Sequence, residues 1–208
     1  MDRKQLLLYA ITDRSYLHGI SLEQAAEKAL QGGVSMLQLR EKEADETLLR
    51  EEIAALLPLC RRYGVPLILD DHVELAAETD CDGAHVGQND MPAALARRIL
   101  GPDKILGVTA KTPEQARRAQ ADGADYLGSG AMFVTSTKPE AVPMTPEMLR
   151  EIVCSVSIPV VAIGGIGIEN MRALRGIGIA GAAVSEAVFA AADIRTAAMA
   201  LKAEALKL

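Results

Sequence analysis

The sequence is poor in aromatic residues and in positive charge. It has no tryptophan, and its aromatic content is only 3%, while 50% of its 208 residues are hydrophobic. The core must therefore be built from alanine, leucine, isoleucine and valine, which is typical of a parallel sheet covered by helices. The formal net charge of −6 argues against a surface that binds nucleic acid or anionic membranes. A local group of arginine and lysine side chains would still permit a phosphate ligand.

The sequence also lacks long apolar runs and paired cysteines. The apolar run at 6–11 is too short to span a membrane, and it lacks the length and the cleavage site of a secretory signal. The three cysteines, Cys60, Cys81 and Cys154, show no CxxC spacing, and each lies in or beside an apolar segment. They are therefore predicted to be buried free thiols of a cytoplasmic protein, and no histidine is placed to activate one of them.

Strand-like apolar segments alternate with helical segments along the whole chain. The predicted strands are 6–11, 34–39, 66–69, 83–86, 105–108, 125–128, 159–163 and 180–184. The predicted helices are 21–30, 45–63, 73–78, 92–100, a segment that begins at 112, 148–153, 169–174 and a last segment to about 206. Eight such units predict a (β/α)₈ TIM barrel that occupies residues 1–208 as a single domain. A doubly wound open sheet has the same local pattern and is the alternative.

Two acidic residues follow neighbouring predicted strands. Asp71 ends the segment Leu-Ile-Leu-Asp-Asp, and Asp90 ends the segment His-Val-Gly-Gln-Asn-Asp. Because parallel strands end on one side of a sheet, both carboxylates are expected at the same rim, where they need a shared cation or a proton on one of them. The alternative is that each aspartate caps the helix that follows it. The pair favours a metal site.

Amide and basic side chains accompany the second predicted strand. Gln38, Arg40 and Lys42 alternate along an extended segment and therefore reach the same side of the rim. Arginine offers a planar fork to phosphate oxygens, and lysine offers a point charge. Together with Mg²⁺ on Asp71 and Asp90, these side chains would suit a pyrophosphate. The alternative is that Arg40 and Lys42 pair with acidic neighbours and brace the rim.

A second anion site is predicted near the end of the chain. Gly164 and Gly165 follow the seventh predicted strand, and Val184 and Ser185 follow the eighth. Barrels of this fold commonly bind phosphate at these positions through backbone N–H groups and a helix N-terminus. His85, by contrast, lies inside an apolar strand and is expected to be a packed, hydrogen-bonded core residue.

Several segments form one collinear pattern along the chain. They are Gln-Leu-Arg-Glu-Lys at 38–42, the aspartate at 71, His-Val-Gly-Gln-Asn-Asp at 85–90, Thr-Ser-Thr-Lys at 135–138 and Val-Ala-Ile-Gly-Gly-Ile at 161–166. From about residue 9 to residue 188, this pattern resembles the thiamine phosphate synthase family. The resemblance implies a barrel enzyme that joins hydroxymethylpyrimidine pyrophosphate to a thiazole phosphate and releases pyrophosphate.

The resemblance also implies roles for individual residues. It implies Mg²⁺ as cofactor, held by Asp71 and Asp90. It implies pyrophosphate contacts from Gln38, Arg40, Lys42, Thr109 and Lys138, of which Arg40, Lys42 and Lys138 would be catalytic. It implies thiazole phosphate contacts from Thr135, Thr137, Gly165, Val184 and Ser185. The long segment 130–145, which carries Lys138, is the expected lid.

One residue departs from the family pattern. The family usually has asparagine before the metal-binding aspartate, and this chain has Asp70 at that substrate-binding position. An ionised aspartate cannot donate a hydrogen bond to pyrophosphate, so Asp70 adds charge to the metal site, is protonated, or faces a substrate that is held differently. Two alternatives therefore stay open, a thiazole phosphate tautomerase and a non-catalytic barrel that binds a thiazole or thiamine phosphate. Barrels of this size often pair through helices, which leaves a homodimer open.

Overall fold

Eight parallel strands form a closed barrel in chain order. A computed structural model describes residues 1–17, 19–42, 44–135 and 143–208. The strands are β1 (Leu8–Ile11), β2 (Met36–Leu39), β3 (Leu67–Asp70), β4 (Gly83–Val86), β5 (Ile105–Thr109), β6 (Tyr126–Gly130), β7 (Val160–Ile163) and β8 (Gly181–Val184). Each strand pairs with the next, and β8 pairs with β1. The predicted (β/α)₈ barrel is confirmed, and the open-sheet alternative is wrong.

Helices surround the barrel. They are α1 (Leu22–Gln31), α2 (Glu46–Tyr63), α3 (Val73–Glu78), α4 (Ala93–Leu100), α5 (Pro113–Ala121), α6 (Pro146–Ser155), α7 (Glu186–Phe189) and α8 (Ile194–Ala205). Local sequence sets their ends: Ser21 and Gln24 form a reciprocal capping box at α1, and Gly64 ends α2 in the left-handed conformation. No helix in the described ranges is long and apolar enough to cross a membrane.

Three local predictions are wrong. Leu6 belongs to a 3₁₀ turn, Arg3–Leu6, and does not begin β1. The helix predicted at 169–174 is only a 3₁₀ turn, Met171–Leu174, because the Asn170 side chain bonds back to the turn after β7 instead of capping a helix. Cys154 is exposed, since α6 buries Leu149 and Ile152 on its other side, whereas the remaining two cysteines are buried as predicted.

The core has an inner and an outer layer. Side chains alternate along each strand, so that Met36 packs inside the barrel while Leu37 packs against the helices. The inner layer also contains Tyr9, Ile68 and Tyr126. Towards the carboxyl ends of the strands the inward positions become polar: they carry Gln38, Asp70, His85 and Thr109. This change from apolar to polar positions places the candidate site at that end of the barrel.

Candidate active site

The two predicted metal ligands, Asp71 and Asp90, meet at the rim. Asp71 follows β3 with a φ of 63°, and its backbone N–H donates to the carbonyl of His85 at 2.9 Å. Its carboxyl group is hydrogen-bonded to that of Asp90, whose Oδ2 also accepts the backbone N–H of Gly87 at 2.8 Å. Neither α3 nor α4 has a side-chain cap. The capping alternative is therefore wrong for both aspartates.

Crowding of negative charge changes the protonation of Asp71. Loss of solvent around the carboxyl group, followed by the charges of Asp70 and Asp90, raises the pKa of Asp71 to about 7. The hydrogen bond to Asp90 acts in the same direction, and the positive charge of Lys42 opposes it. Without a cation, the two carboxyl groups therefore share a proton near neutral pH.

The pair fits a cation that takes few ligands from protein. The parts of the chain that the structure describes contain no group of three or more histidine, cysteine, aspartate or glutamate side chains arranged to hold a metal. Mg²⁺ commonly binds through one or two carboxylates and completes its octahedron with water and substrate phosphates. Asp71 and Asp90 supply that kind of donor set, and they are the residues that would hold the ion.

Arg40 is positioned by the end of β1. Its backbone N–H donates to Thr12 Oγ1 at 2.9 Å, and the Thr12 side chain is fully buried. Its guanidinium lies between two carboxylates, with Nη1 at 3.8 Å from Asp13 Oδ2 and Nε at 3.6 Å from Asp70 Oδ2. The predicted rim pairing therefore exists. Both distances exceed those of hydrogen bonds, so the guanidinium N–H groups remain available for phosphate oxygens.

A continuous hydrogen-bond path, here named the interior chain, crosses the barrel below the rim. It consists of Gln38, Tyr9, Tyr126, His85 and Thr109. Gln38 Nε2 donates to Tyr9 Oη at 2.9 Å, and the hydroxyl oxygens of Tyr9 and Tyr126 are 2.8 Å apart. Tyr126 Oη is 3.0 Å from Nδ1 of His85, whose Nε2 is 3.0 Å from Thr109 Oγ1. The interior chain thus joins two predicted substrate-binding residues, Gln38 and Thr109.

Sequence reasoning missed the two tyrosines of the interior chain. Burial raises the pKa of both Tyr9 and Tyr126 well above that of a free tyrosine, so they act as neutral hydroxyl donors. The available signal was that both lie inside apolar strands, where a buried tyrosine needs a polar partner. His85 is the hydrogen-bonded core residue that was predicted.

The turn after β7 has the geometry of an anion-binding loop. Gly164 and Gly165 have φ values of 96° and 63°, and a Cβ at Gly165 would lie 2.4 Å from the backbone oxygen of Val134. Asn170, which sequence reasoning also missed, donates from Nδ2 to the carbonyl of Gly165 at 2.8 Å. Ser185, directly after β8, has a buried Oγ with no hydrogen-bond partner among the described residues. The loop is therefore rigid and has a hydroxyl group to offer.

The remaining predicted site residues divide into two groups. Lys42 is exposed near Asp71, Thr135 is partly buried, and Val184 ends β8. Thr137 and Lys138, with most of the predicted lid, lie outside the described residues. Their contacts stay predictions.

Polar side chains of several strands thus converge on one end of a closed barrel, which defines a (β/α)₈-barrel enzyme. Comparison with known proteins identifies its kind. The sequence profile described as thiamine monophosphate synthase matches residues 8–188, so the chain belongs to that family. It is accordingly a transferase of thiamine biosynthesis, as the sequence motifs predicted.

Individual relatives agree with this assignment. The chain is 44% identical over 201 residues to the thiamine-phosphate synthase of Clostridium botulinum, covering 97% of this chain and 94% of the relative. It is 48% identical over 197 residues to that of Chloroflexus aurantiacus, covering 94% and 91%. Among solved structures, thiamine phosphate pyrophosphorylase from Pyrococcus furiosus superposes with a TM-score of 0.90 at 39% identity, covering 98% of this chain and 97% of that one.

Proposed function

We propose that the enzyme couples hydroxymethylpyrimidine pyrophosphate to hydroxyethylthiazole phosphate, with Mg²⁺ as cofactor, and gives thiamine phosphate and pyrophosphate. The observation that carries the proposal is the contact between the carboxyl groups of Asp71 and Asp90, close to the incompletely hydrogen-bonded guanidinium of Arg40. Carboxylates for a cation and a guanidinium for phosphate oxygens are the groups that a pyrophosphate ester needs.

Departure of pyrophosphate is the first chemical step. The bond between the pyrimidine methylene carbon and the ester oxygen breaks, and its electron pair leaves with pyrophosphate. Negative charge grows on the leaving oxygens, where fixed positive groups stabilise it most. Arg40 and Lys42 lie at the rim for this purpose, and Lys138 is proposed to join them. A bound Mg²⁺ supplies further neutralisation of the phosphate oxygens.

Attack of the thiazole nitrogen completes the reaction. The methylene cation left on the pyrimidine accepts the lone pair of the ring nitrogen, which forms the new carbon–nitrogen bond without any proton transfer. No general base is required. The enzyme therefore contributes by positioning the two rings and by excluding water from the cation.

The second substrate is proposed to bind through its phosphate at the turn after β7. Gly165 and the backbone of Val184 and Ser185 would approach the phosphate closely, and the buried Ser185 hydroxyl would gain a partner. Thr135 and Thr137 are proposed to bind the same substrate, Gln38 and Thr109 the pyrophosphate substrate. Asp70 lies beside Arg40 and would contact that substrate through it.

A turnover assay tests the proposal. Purified protein with both substrates should release pyrophosphate in the presence of Mg²⁺ and lose that activity with EDTA. Asp71→Asn keeps the size of the side chain and tolerates the positive φ, so it should fold normally and reduce kcat/KM by about 10²-fold or more. Asp90→Asn should have a similar effect.

Asp103→Asn is the matched control, because Asp103 is exposed in the turn before β5. It should leave turnover unchanged. Wild-type protein that binds both substrates without releasing pyrophosphate would contradict the proposal. Mg²⁺-independent conversion of the thiazole phosphate alone would identify a tautomerase instead.

A further inference from the structure

The interior chain contains groups that the proposed reaction does not use directly. Tyr9 and Tyr126 are 1% and 0% exposed, and their rings meet edge to face with centroids 5.9 Å apart. Within the described ranges, the Tyr9 hydroxyl has hydrogen-bond partners only in Gln38 and Tyr126, and the Tyr126 hydroxyl only in Tyr9 and His85. Neither tyrosine is in contact with solvent. Their hydrogen bonds must therefore be satisfied within the chain itself.

The amide of Gln38 fixes the sense of the hydrogen bonds. Because Gln38 Nε2 donates to Tyr9 Oη, the proton of Tyr9 has Tyr126 as its only acceptor. The proton of Tyr126 then points at His85 Nδ1. In the opposite sense the fully buried Tyr9 hydroxyl would have no acceptor for its proton, which is unfavourable for a polar group away from water.

We propose that Tyr9 and Tyr126 are positioning residues that hold His85 as its neutral Nε2–H tautomer and thereby turn the Thr109 hydroxyl into a donor towards the substrate. With Nδ1 accepting from Tyr126, Nε2 carries the proton and donates it to Thr109 Oγ1. Oγ1 has accepted a hydrogen bond, so its own proton is directed at an acceptor of the ligand. The inference rests on the proposed function only for the identity of that ligand, the pyrophosphate ester.

Small residues opposite the histidine preserve this arrangement. A Cβ at Gly107 would lie 2.3 Å from Tyr126 Oη and 2.4 Å from His85 Nδ1, which is the space occupied by their hydrogen bond. A Cβ at Gly128 would lie 3.1 Å from His85 Cε1. Glycine at these two inward positions lets the imidazole and the phenol meet at the centre of the barrel.

Nitrogen NMR of the free enzyme measures the tautomer directly. The protein has only three histidines, and His18→Gln and His72→Gln variants assign the signals that belong to His85. The expected spectrum shows His85 Nε2 at the shift of a protonated ring nitrogen and Nδ1 at that of an unprotonated one. A protonated Nδ1 with an unprotonated Nε2 would overturn the proposal. This measurement needs no substrate, so its result does not depend on the proposed function.

Two isosteric variants test the role of the tyrosines. In Tyr126→Phe, and in Tyr9→Phe should that variant be the better folded, the fixed sense of the chain is lost and His85 should show a mixture of tautomers. Tyr63→Phe, on the exposed end of α2, is the matched control and should retain the wild-type spectrum. A pure Nε2–H signature in folded Tyr126→Phe would contradict the proposal.

A double-mutant cycle connects the tautomer to catalysis. Tyr126→Phe should lower kcat/KM by about tenfold, which corresponds to a misdirected hydrogen bond. If Tyr126 acts through Thr109, the same substitution should have almost no further effect in a Thr109→Val background. Independent, multiplicative losses would overturn the proposal. Absence of turnover in the wild type would refute the proposed function, while the NMR result would stand.

Discussion

The space at Gly107 offers a quantitative test of how tightly the interior of the barrel is packed below the site. A Cβ at this position would lie 2.2 Å from Tyr126 Cζ and 2.4 Å from His85 Nδ1. Both neighbours are rings with little exposure, at 0% and 9%, and a hydrogen bond of 3.0 Å joins them. Neither ring has free space into which it can turn. Gly107→Ala therefore has to separate the two rings or displace β5.

The expected loss of stability follows from two terms. Overpacking of a closed core costs about 1–3 kcal/mol, and loss of the hydrogen bond between Tyr126 and His85 costs about 1 kcal/mol more. The total is a loss of about 2–4 kcal/mol in the free energy of unfolding. For a protein of this size, each kcal/mol lowers Tm by about 2–4 °C, so Tm should fall by about 4–16 °C.

Thermal unfolding followed by circular dichroism measures this loss. Gly167→Ala is the matched control, because its Cβ would have only Ala187 Cβ, at 3.9 Å, within van der Waals distance. Gly128→Ala should give an intermediate decrease, since its Cβ would lie 3.1 Å from His85 Cε1. An unchanged Tm for Gly107→Ala, or a larger effect at Gly167, would refute the packing argument.

Two further predictions concern titratable groups. Burial raises the pKa of Cys60 to about 12 and also raises that of Cys81, so a disulfide reagent at pH 8 should modify only the exposed Cys154 in native protein and all three thiols after unfolding; rapid native modification of two would contradict this. In metal-free protein, Asp71 has a pKa of about 7 when folded against 3.8 as an unperturbed carboxyl group, so the folded state binds more protons and the free energy of unfolding falls as pH rises between these values. Because the carboxyl group is accessible to solvent, Asp71→Asn should reduce this fall by only about 1 kcal/mol between urea titrations at pH 5 and pH 8, and an equal fall in both proteins would exclude it.

Much of the fold could be predicted because the strands are short apolar runs that end at glycine or charge. The fourth strand was predicted at 83–86 and is observed at Gly83–Val86. The convergence of Asp71 and Asp90 could also be predicted, since it requires only that β3 and β4 are parallel neighbours. The segment before β8 failed for a local reason: the Asn170 side chain bonds to the glycine turn, an interaction that helical periodicity does not reveal.

The interior chain could not be predicted from pattern alone. Tyr9 and Tyr126 are 117 positions apart, and their contact depends on the tilt and register of strands that are not neighbours in the sheet. Periodicity indicates that each faces inward, but it does not say which inward residues meet across a barrel. Nor does it predict that Asp71 adopts a left-handed φ, which depends on the backbone bond to His85.

Asp70 gives the rim a charge balance that a family member with asparagine would not have. With Asp71 and Asp90 it makes three carboxyl groups, against two cationic side chains, Arg40 and Lys42. Fully ionised, this set carries a charge of −1, whereas asparagine in place of Asp70 would make it neutral. A pyrophosphate ester approaching the metal-free rim is therefore repelled more strongly here, and Asp70 competes with it for the guanidinium at 3.6 Å. On the proposed function, the rim has to bind Mg²⁺ before the ester or together with it, because the divalent charge reverses the sign of the local field. Asp70 thus makes binding of the substrate more dependent on the metal.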